Sequence, residues 1–89
     1  MPAYAVEFLP AAQRELSKLP LLAQRRIVTA VEQLAENPRP RGVVKLAGDE
    51  NLWRIRVGPY RVVYEIHDGR LLVLIVRIGQ RKDVYRKGK

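Results

Sequence analysis

The chain has 89 residues, with 17 Lys and Arg against 9 Asp and Glu, and a net charge of +8. Its length fits one domain, residues 1–89. Cysteine is absent, which excludes disulfides, thiolate metal sites and cysteine nucleophiles. Ser17 is the one serine and His67 the one histidine, which disfavours a serine–histidine–acid triad. The basic balance points to an anionic partner, either nucleic acid or an acidic protein.

The first half of the chain predicts a strand and two helices. Residues 4–8 alternate as a strand that puts Tyr4, Val6 and Phe8 on one face. A helix over Ala11–Leu19 follows Pro10, and Pro20 opens a second helix that Asn37-Pro38 ends. The apolar stripe expected on the second helix consists of Leu22, Ile27, Val31, Leu34 and Ala35.

The second half predicts four strands. They are Val43–Leu46, Leu52–Val57, Tyr60–His67 and Leu71–Ile78, with two-residue turns at Gly58-Pro59 and Asp68-Gly69. The order β-α-α-β-β-β-β indicates an α+β fold with a mostly antiparallel, twisted sheet and a helical hairpin on one face. No long apolar run predicts a membrane span, and the N-terminus lacks a basic signal region, so we expect a cytoplasmic protein with no membrane partner.

The Gly58-Pro59 turn fixes a register with a chemical consequence. It pairs Arg56 with Arg61 and puts Arg54 on the same face, while Trp53, Ile55 and their partners face the helices. Like charges opposed across strands destabilise a sheet, and arginine binds phosphate in bidentate fashion, so an anion site is predicted here. The alternative is that these arginines only solvate an exposed face, with Glu65 neutralising one of them.

The last strand is apolar on both sides. Its register from Asp68-Gly69 puts Leu71, Val73 and Ile75 on the core face. Leu72, Leu74 and Val76 then fall on the arginine side, which predicts an interior strand and a partly apolar groove that a partner could cover. The same parity would point Arg77 into the core, unless it lies near the strand end or a bulge intervenes.

The tail after Gly79 adds Arg81, Lys82, Tyr85 and Arg86. An aromatic ring beside arginines suits unstacked RNA bases, which stack on the ring while guanidinium groups hold phosphates. A basic tail can also be merely solvated.

Four segments together resemble the RelE family of toxins, within the RelE/ParE superfamily. They are Lys45-Leu46 with Gly48, Leu52 to Gly58, Tyr60 to Tyr64, and Ile78 to Tyr85. The resemblance implies a toxin that cuts messenger RNA in the ribosomal A site, a basic cleft opposite the helices, no cofactor or metal, and an antitoxin similar to RelB. Operator DNA would be bound only through the antitoxin.

The resemblance also implies roles for particular residues. Arg61, Arg81 and Tyr85 match the family's catalytic positions, and Arg54 and Arg56 match its two basic positions before the Gly-Pro turn. Those two are lysines in the best-known pattern, and arginine is a poor proton acceptor. RNA or phosphate binding is expected from Arg54, Arg56, Lys45, Lys82 and Arg86.

Cleavage by such a site needs no metal, since the RNA 2′-hydroxyl can attack the adjacent phosphate. His67 is expected to belong to the surface structure beside its turn, and Glu65 is an alternative base or an ion-pair partner. Two other functions stay open. One is a ParE-like inhibitor that binds DNA gyrase without catalysis, and the other is a degenerate RelE-fold protein that only binds nucleic acid.

Overall fold

The computed structural model describes residues 3–46, 48 and 51–80, and the predicted α+β class is confirmed. Five strands form one sheet in the order β1-β5-β4-β3-β2, in which β1 runs parallel to β5 and the other neighbours are antiparallel. The elements are β1 (Ala5–Phe8), α1 (Pro10–Ser17), α2 (Leu21–Glu36), β2 (Val44–Lys45), β3 (Leu52–Val57), β4 (Tyr60–His67) and β5 (Leu72–Gln80).

Proline residues determine where both helices begin. Pro10 lies in the first turn of α1, where its missing N–H costs nothing, and Pro20 stands just before α2. The second helix ends at Glu36, since Asn37 adopts an extended conformation before Pro38.

The predicted stripe of α2 is wrong at its first position. Leu22 is 68% exposed, and Ala23 is buried in its place. Position 23 stands four residues before Ile27 and eight before Val31, so the three share one face of the helix, which Leu22 misses. The core forms between this face and the sheet, with Tyr64 at its centre. Its buried members are Ala12, Ile27, Val31, Leu34, Ile55, Val62, Tyr64, Ile66, Val73, Ile75 and Ile78.

The β3–β4 hairpin has the predicted register. Val57 pairs with Tyr60 and Arg56 with Arg61, and the alternation continues to Trp53 opposite Tyr64. A two-residue turn leaves one way to align the strands, and Gly58 at φ +59° supplies the left-handed conformation that this turn needs.

The predicted two-residue turn at Asp68-Gly69 is wrong. Asp68–Arg70 form a short 3-10 helix, which Leu71 closes in the left-handed region at φ 49°. The chain therefore turns over more residues, His67 pairs with Leu72, and Leu71 lies 40% exposed instead of in the core. Val73 and Ile75 still face the core as predicted, because the longer turn preserves the alternation along β5.

A bulge redirects the second half of β5. Tyr64 pairs with Ile75 and Val63 with Arg77, so Val76 is the extra residue. This bulge is one of the outcomes expected for Arg77, whose guanidinium pairs with Glu15 outside the core, 2.9 Å from Nε to Oε2. Gly79 does not end the strand, which continues to Gln80 because its backbone keeps pairing with β4.

Candidate functional site

Three arginines lie on the sheet face opposite the helices, and we call them the arginine face: Arg54, Arg56 and Arg61. Arg56 on β3 stands directly opposite Arg61 on β4, and Arg54 stands opposite Val63. Side chains directly opposed across strands share a face and lie about 5 Å apart at Cβ. The hairpin thus brings Arg56 and Arg61 together, as the sequence predicts.

The three arginines differ in burial. Arg61 is 6% exposed, while Arg54 is half-buried and Arg56 is exposed. Arg61 lies on an interior strand, between Arg56 on one side and Gly79, which has no side chain, on the other. A buried guanidinium keeps its charge and adds a fixed positive potential to the surface above it.

A small apolar cluster lies on the same side of the sheet. Leu52 and Val63 are buried there, with Leu46 and Val76 packed against them. Leu72 and Leu74 on the same side of β5 are half-buried rather than exposed. Apolar neighbours reduce the water around Arg54, which strengthens its interaction with any bound anion.

The structure separates Lys45 from the arginine face, and its expected binding of RNA or phosphate stays a prediction. Lys45 pairs with Trp53, so both lie on the side that faces the helices, and the Lys45 Nζ is 5.5 Å from the centre of the Trp53 ring. Successive side chains of a strand point to opposite faces of the sheet. Because Val44 stands opposite Arg54 and shares its face, Lys45 points to the other face.

Four candidate residues lie outside the described part of the chain: Arg81, Lys82, Tyr85 and Arg86. The described part ends close to the arginine face, because Gly79 pairs with Arg61 and Gln80 with Tyr60. The last described residues of β5 therefore lie beside Arg61 and Tyr60, and the positions of the four candidate residues remain predictions.

Glu65 and His67 form a pair of their own on β4. The His67 Nε2 lies 2.8 Å from the Glu65 Oε1, and both side chains are about one-third exposed. Within the described part of the chain, the Glu65 carboxylate is thus a hydrogen-bond partner of His67. His67 itself lies at the surface beside its turn, as expected.

Sequence reasoning missed a polar cluster around Asp68. Arg39 donates two hydrogen bonds to its carboxylate, at 3.2 and 2.9 Å, and the Tyr4 hydroxyl donates a third at 2.6 Å. Hydrogen bonds from Arg39 and then Tyr4 lower the pKa of Asp68 to about 2. Because these residues are far apart in sequence, no local pattern indicates that they meet.

Trp53 lies beside this cluster on the side of the sheet that faces the helices. The Arg39 guanidinium carbon is 5.0 Å from the centre of its ring, within cation–π range. The ring is therefore in contact with two cations, Arg39 and Lys45.

The described residues form neither a cluster of metal ligands nor a helix that could span a membrane. Within this part of the chain, His, Asp and Glu do not gather in threes as a metal ion would require. No helix in the same part combines the length and the hydropathy needed to cross a membrane.

Known proteins with this fold include bacterial and archaeal toxins. The family described as "ParE toxin of type II toxin-antitoxin system, parDE" matches residues 6–85. Toxin RelG of Mycobacterium tuberculosis is 35% identical, over 94% of this chain and 98% of its own. The mRNA interferase toxin RelE of Escherichia coli is 27% identical, over 90% of this chain and 85% of its own.

A solved structure agrees with these sequence relatives. The toxin–antitoxin complex RelBE2 of Mycobacterium tuberculosis contains a chain that superposes with a TM-score of 0.81 at 31% identity, covering 91% of this chain and 94% of that one. The protein therefore belongs to the RelE/ParE family of type II toxin–antitoxin toxins, and its matches among characterised proteins include RelE-type members.

Proposed function

We propose that this protein is a metal-independent endoribonuclease that cleaves messenger RNA in the ribosomal A site. The observation that carries the proposal is the direct opposition of Arg56 and Arg61, with Arg54 beside them, on one face of the sheet. Like charges directly opposed across strands are destabilising, and a bound anion offsets their repulsion. Two relatives are named mRNA interferases, which supports an RNA phosphodiester as the anion that these arginines bind.

The reaction needs no group that the protein lacks. The 2′-hydroxyl oxygen attacks the adjacent phosphorus in line, the bond from phosphorus to the 5′-oxygen breaks, and a 2′,3′-cyclic phosphate forms. One proton leaves the 2′-hydroxyl and one reaches the 5′-oxygen. The protein has to hold the nucleotide in line, stabilise charge on the phosphorane and assist these two transfers.

The described arginines suit the second of these tasks. Arg61, with Arg54 or Arg56, binds the non-bridging oxygens, because a guanidinium stays charged and fits a phosphate in bidentate fashion. The burial of Arg61 keeps its position fixed before the substrate arrives, which is how preorganised donors lower a barrier. Arginine cannot serve as the base, so these three residues stabilise charge rather than move protons.

The tail completes the proposed site. Arg81 is placed near the leaving 5′-oxygen, and Tyr85 stacks on a base or assists proton transfer. Lys82 and Arg86 add contacts to the RNA backbone. The pairing of Gly79 with Arg61 and of Gln80 with Tyr60 supports this assignment, because residue 80 directly precedes Arg81 in the chain.

The partner proposed for the resting state is an antitoxin similar to RelB. The solved relative from Pyrococcus horikoshii is an archaeal RelE-RelB complex, 30% identical to this chain. A segment that is both acidic and apolar would complement the arginine face and the half-buried Leu72, Leu74 and Val76. Operator DNA is contacted through the antitoxin alone, and the site of action is the cytoplasm.

The experiment is a translation extract supplied with a defined message, in which 5′ ends are mapped with and without ribosomes. Wild type is compared with Arg61→Gln, with Arg56→Gln, and with Arg14→Gln as a control that removes one exposed charge from α1. We expect cuts that require ribosomes, that persist in Arg14→Gln, and that fall by about 10²–10³ in rate when one charge-stabilising donor is lost. Because Arg61 is buried, circular dichroism checks that variant, and Arg56→Gln tests the face at an exposed position.

A second function is favoured by one observation, since the matching family description names ParE and parDE. A ParE-like protein would bind DNA gyrase and inhibit it without cutting RNA. The same wild-type protein, added to a gyrase supercoiling reaction, separates the two functions. Inhibition of supercoiling without message cleavage would replace the endoribonuclease proposal, and failure of both assays would indicate a degenerate RelE-fold protein that binds nucleic acid.

A further inference from the structure

A groove lies between α2 and the outer edge of β3, at the border of the arginine face. It consists of two adjoining hollows of about 390 and 380 Å³ that share Ala30 and Gln33 of α2. One hollow reaches the turn after Val57, and the other reaches the loop at Pro40–Gly42. We call the two together the β3-edge groove.

Four arginines line the β3-edge groove. Arg25 and Arg26 belong to its turn end, and Arg41 and Arg56 to its loop end. All four are exposed, and within the described part of the chain none makes an ion pair. Neither Asp nor Glu lines either hollow, so the groove holds uncompensated positive charge.

The groove exists because β2 is short. Val44 and Lys45 pair with Arg54 and Trp53, and this pairing stops before Ile55. On this outer side, the described residues provide no strand partner for Ile55–Val57. The Arg26 Nη1 atom lies 3.7 Å from where a Cβ on Gly58 would stand, so one guanidinium sits against the turn at the end of this edge.

Arg56 connects the groove with the arginine face. It lines the loop end of the groove and also stands opposite Arg61. A chain of phosphates bound at the arginine face can therefore continue along the β3 edge without leaving positive surface. We propose that the β3-edge groove binds the sugar-phosphate backbone of RNA that flanks the scissile position, an inference that rests on the proposed function.

The lining favours RNA over an acidic protein segment. Peptides that dock in grooves anchor themselves with apolar side chains in apolar pockets. Here the exposed large apolar residues lie elsewhere, at Leu9, Leu21, Leu22, Val44 and Leu71. The apolar part of the lining consists of buried or half-buried side chains, among them Leu34, Ile55 and Val57. The exposed side chains of the groove are the four arginines with Thr29 and Gln33, which are donors suited to phosphate oxygens.

The test measures binding without cleavage. Fluorescence anisotropy is recorded with 2′-O-methyl RNA, which has no free 2′-hydroxyl, as a trinucleotide and as a strand of about 15 nucleotides, a length that spans a typical single-strand site. The groove variant carries Arg25→Gln, Arg26→Gln and Arg41→Gln and leaves the arginine face intact. The matched control carries Arg14→Gln, Lys18→Gln and Arg70→Gln, which remove the same charge at exposed positions outside the groove.

We expect the groove variant to bind the trinucleotide as wild type does and the long strand at least tenfold more weakly. Its slope of log affinity against log salt should fall by about 2, as three lost phosphate contacts require for single strands. The control should keep both the affinity and the slope. Equal losses in both triple variants would overturn the proposal, because the effect would then be general charge.

Unchanged binding of the long strand by the groove variant would also overturn the proposal that the β3-edge groove binds flanking RNA. If that variant lost binding of a poly-glutamate peptide instead, the groove would be a protein-docking surface. The methylated strand separates this result from the proposed function, since a protein that cuts no message can still bind RNA along the groove.

Discussion

Arg56 and Arg61 show how a single cross-strand pair connects sequence, stability and function. Their register follows from the turn at Gly58, and their charges repel across the hairpin. The fold tolerates this repulsion because the rest of the hairpin is anchored by buried Val62 and Tyr64. Such a locally unfavourable arrangement is typical of a functional site.

The substitution Arg56→Gln should stabilise the protein while it impairs RNA cleavage. Removing one of two opposed charges should raise the free energy of unfolding by about 0.2–1 kcal/mol. Urea unfolding measures this difference, with Arg14→Gln as the control for loss of an exposed charge. A less stable Arg56→Gln would mean that Arg56 makes favourable contacts that outweigh the repulsion.

The Asp68 cluster predicts a specific loss of stability in acid. Asp68 has a pKa of about 2 in the folded protein against 3.8 ordinarily, because Arg39 and then Tyr4 donate hydrogen bonds to its carboxylate. A depressed folded pKa contributes stability that is present above about pH 4 and is lost as the pH falls toward 2. The difference in unfolding free energy between wild type and Asp68→Asn should therefore be constant above pH 4 and shrink below it.

The variant Arg39→Gln serves as the matched test of that cause. It removes the side chain whose hydrogen bonds lower the pKa of Asp68 most, so the difference in unfolding free energy between Arg39→Gln and wild type should also narrow between pH 4 and 2. Chemical unfolding at several pH values measures both. A gap that stays constant down to pH 2 would contradict the assignment.

At the scale of elements, α1 holds the end of β5 through one carboxylate. Glu15 accepts a hydrogen bond from the Ile78 backbone N–H at 2.8 Å and another from Arg77 Nε at 2.9 Å. This stretch of β5 lies beyond the four residues that pair with β1, so Glu15 satisfies a backbone donor that lacks a strand partner there. The clamp fixes β5 close to Gln80, the last described residue.

The substitution Glu15→Ala should loosen the end of β5 more than the rest of the sheet. The Ile78 amide should exchange with solvent faster relative to the Val73 amide, because it loses its acceptor while Val73 stays within the paired part of β5. Hydrogen exchange measured by NMR reads both amides in one sample. Exposed Gln13→Ala on the same helix is the control, and equal acceleration of the two amides in Glu15→Ala would contradict a local clamp.

Elements set by short-range chemistry could be predicted from the sequence, whereas those set by distant contacts could not. The β3–β4 register was predictable because a two-residue turn admits one alignment. The β4–β5 turn was mispredicted because Asp68 bonds to Arg39 and Tyr4, which lie far away in the chain, and Asp68–Arg70 form a 3-10 helix. The sequence offers no register for β2 for a similar reason, since the pairing of β2 with β3 is not set by a tight turn.

At the scale of the whole molecule, the fold separates two tasks. The helices and one face of the sheet form the core, and the opposite face carries the arginine face and its apolar neighbours. In a chain of 89 residues with a net charge of +8, one side of the sheet thus carries three arginines beside a small apolar cluster, a surface that suits an anionic partner. The membership of the RelE/ParE family fits this division, because the proposed RNA and antitoxin sites share that side.

The most direct measurement of the central claim is single-turnover cleavage on ribosomes programmed with a message of defined sequence. The nucleotide before the cut is either ribose or 2′-deoxyribose, and the enzyme is either wild type or Arg56→Gln. We predict that wild type cuts the ribose message to a 2′,3′-cyclic or 3′-phosphate and leaves the deoxy message intact, and that Arg56→Gln slows the cut by about 10²-fold or more. Equal cutting of both messages, or a rate unaffected by Arg56→Gln, would contradict the account.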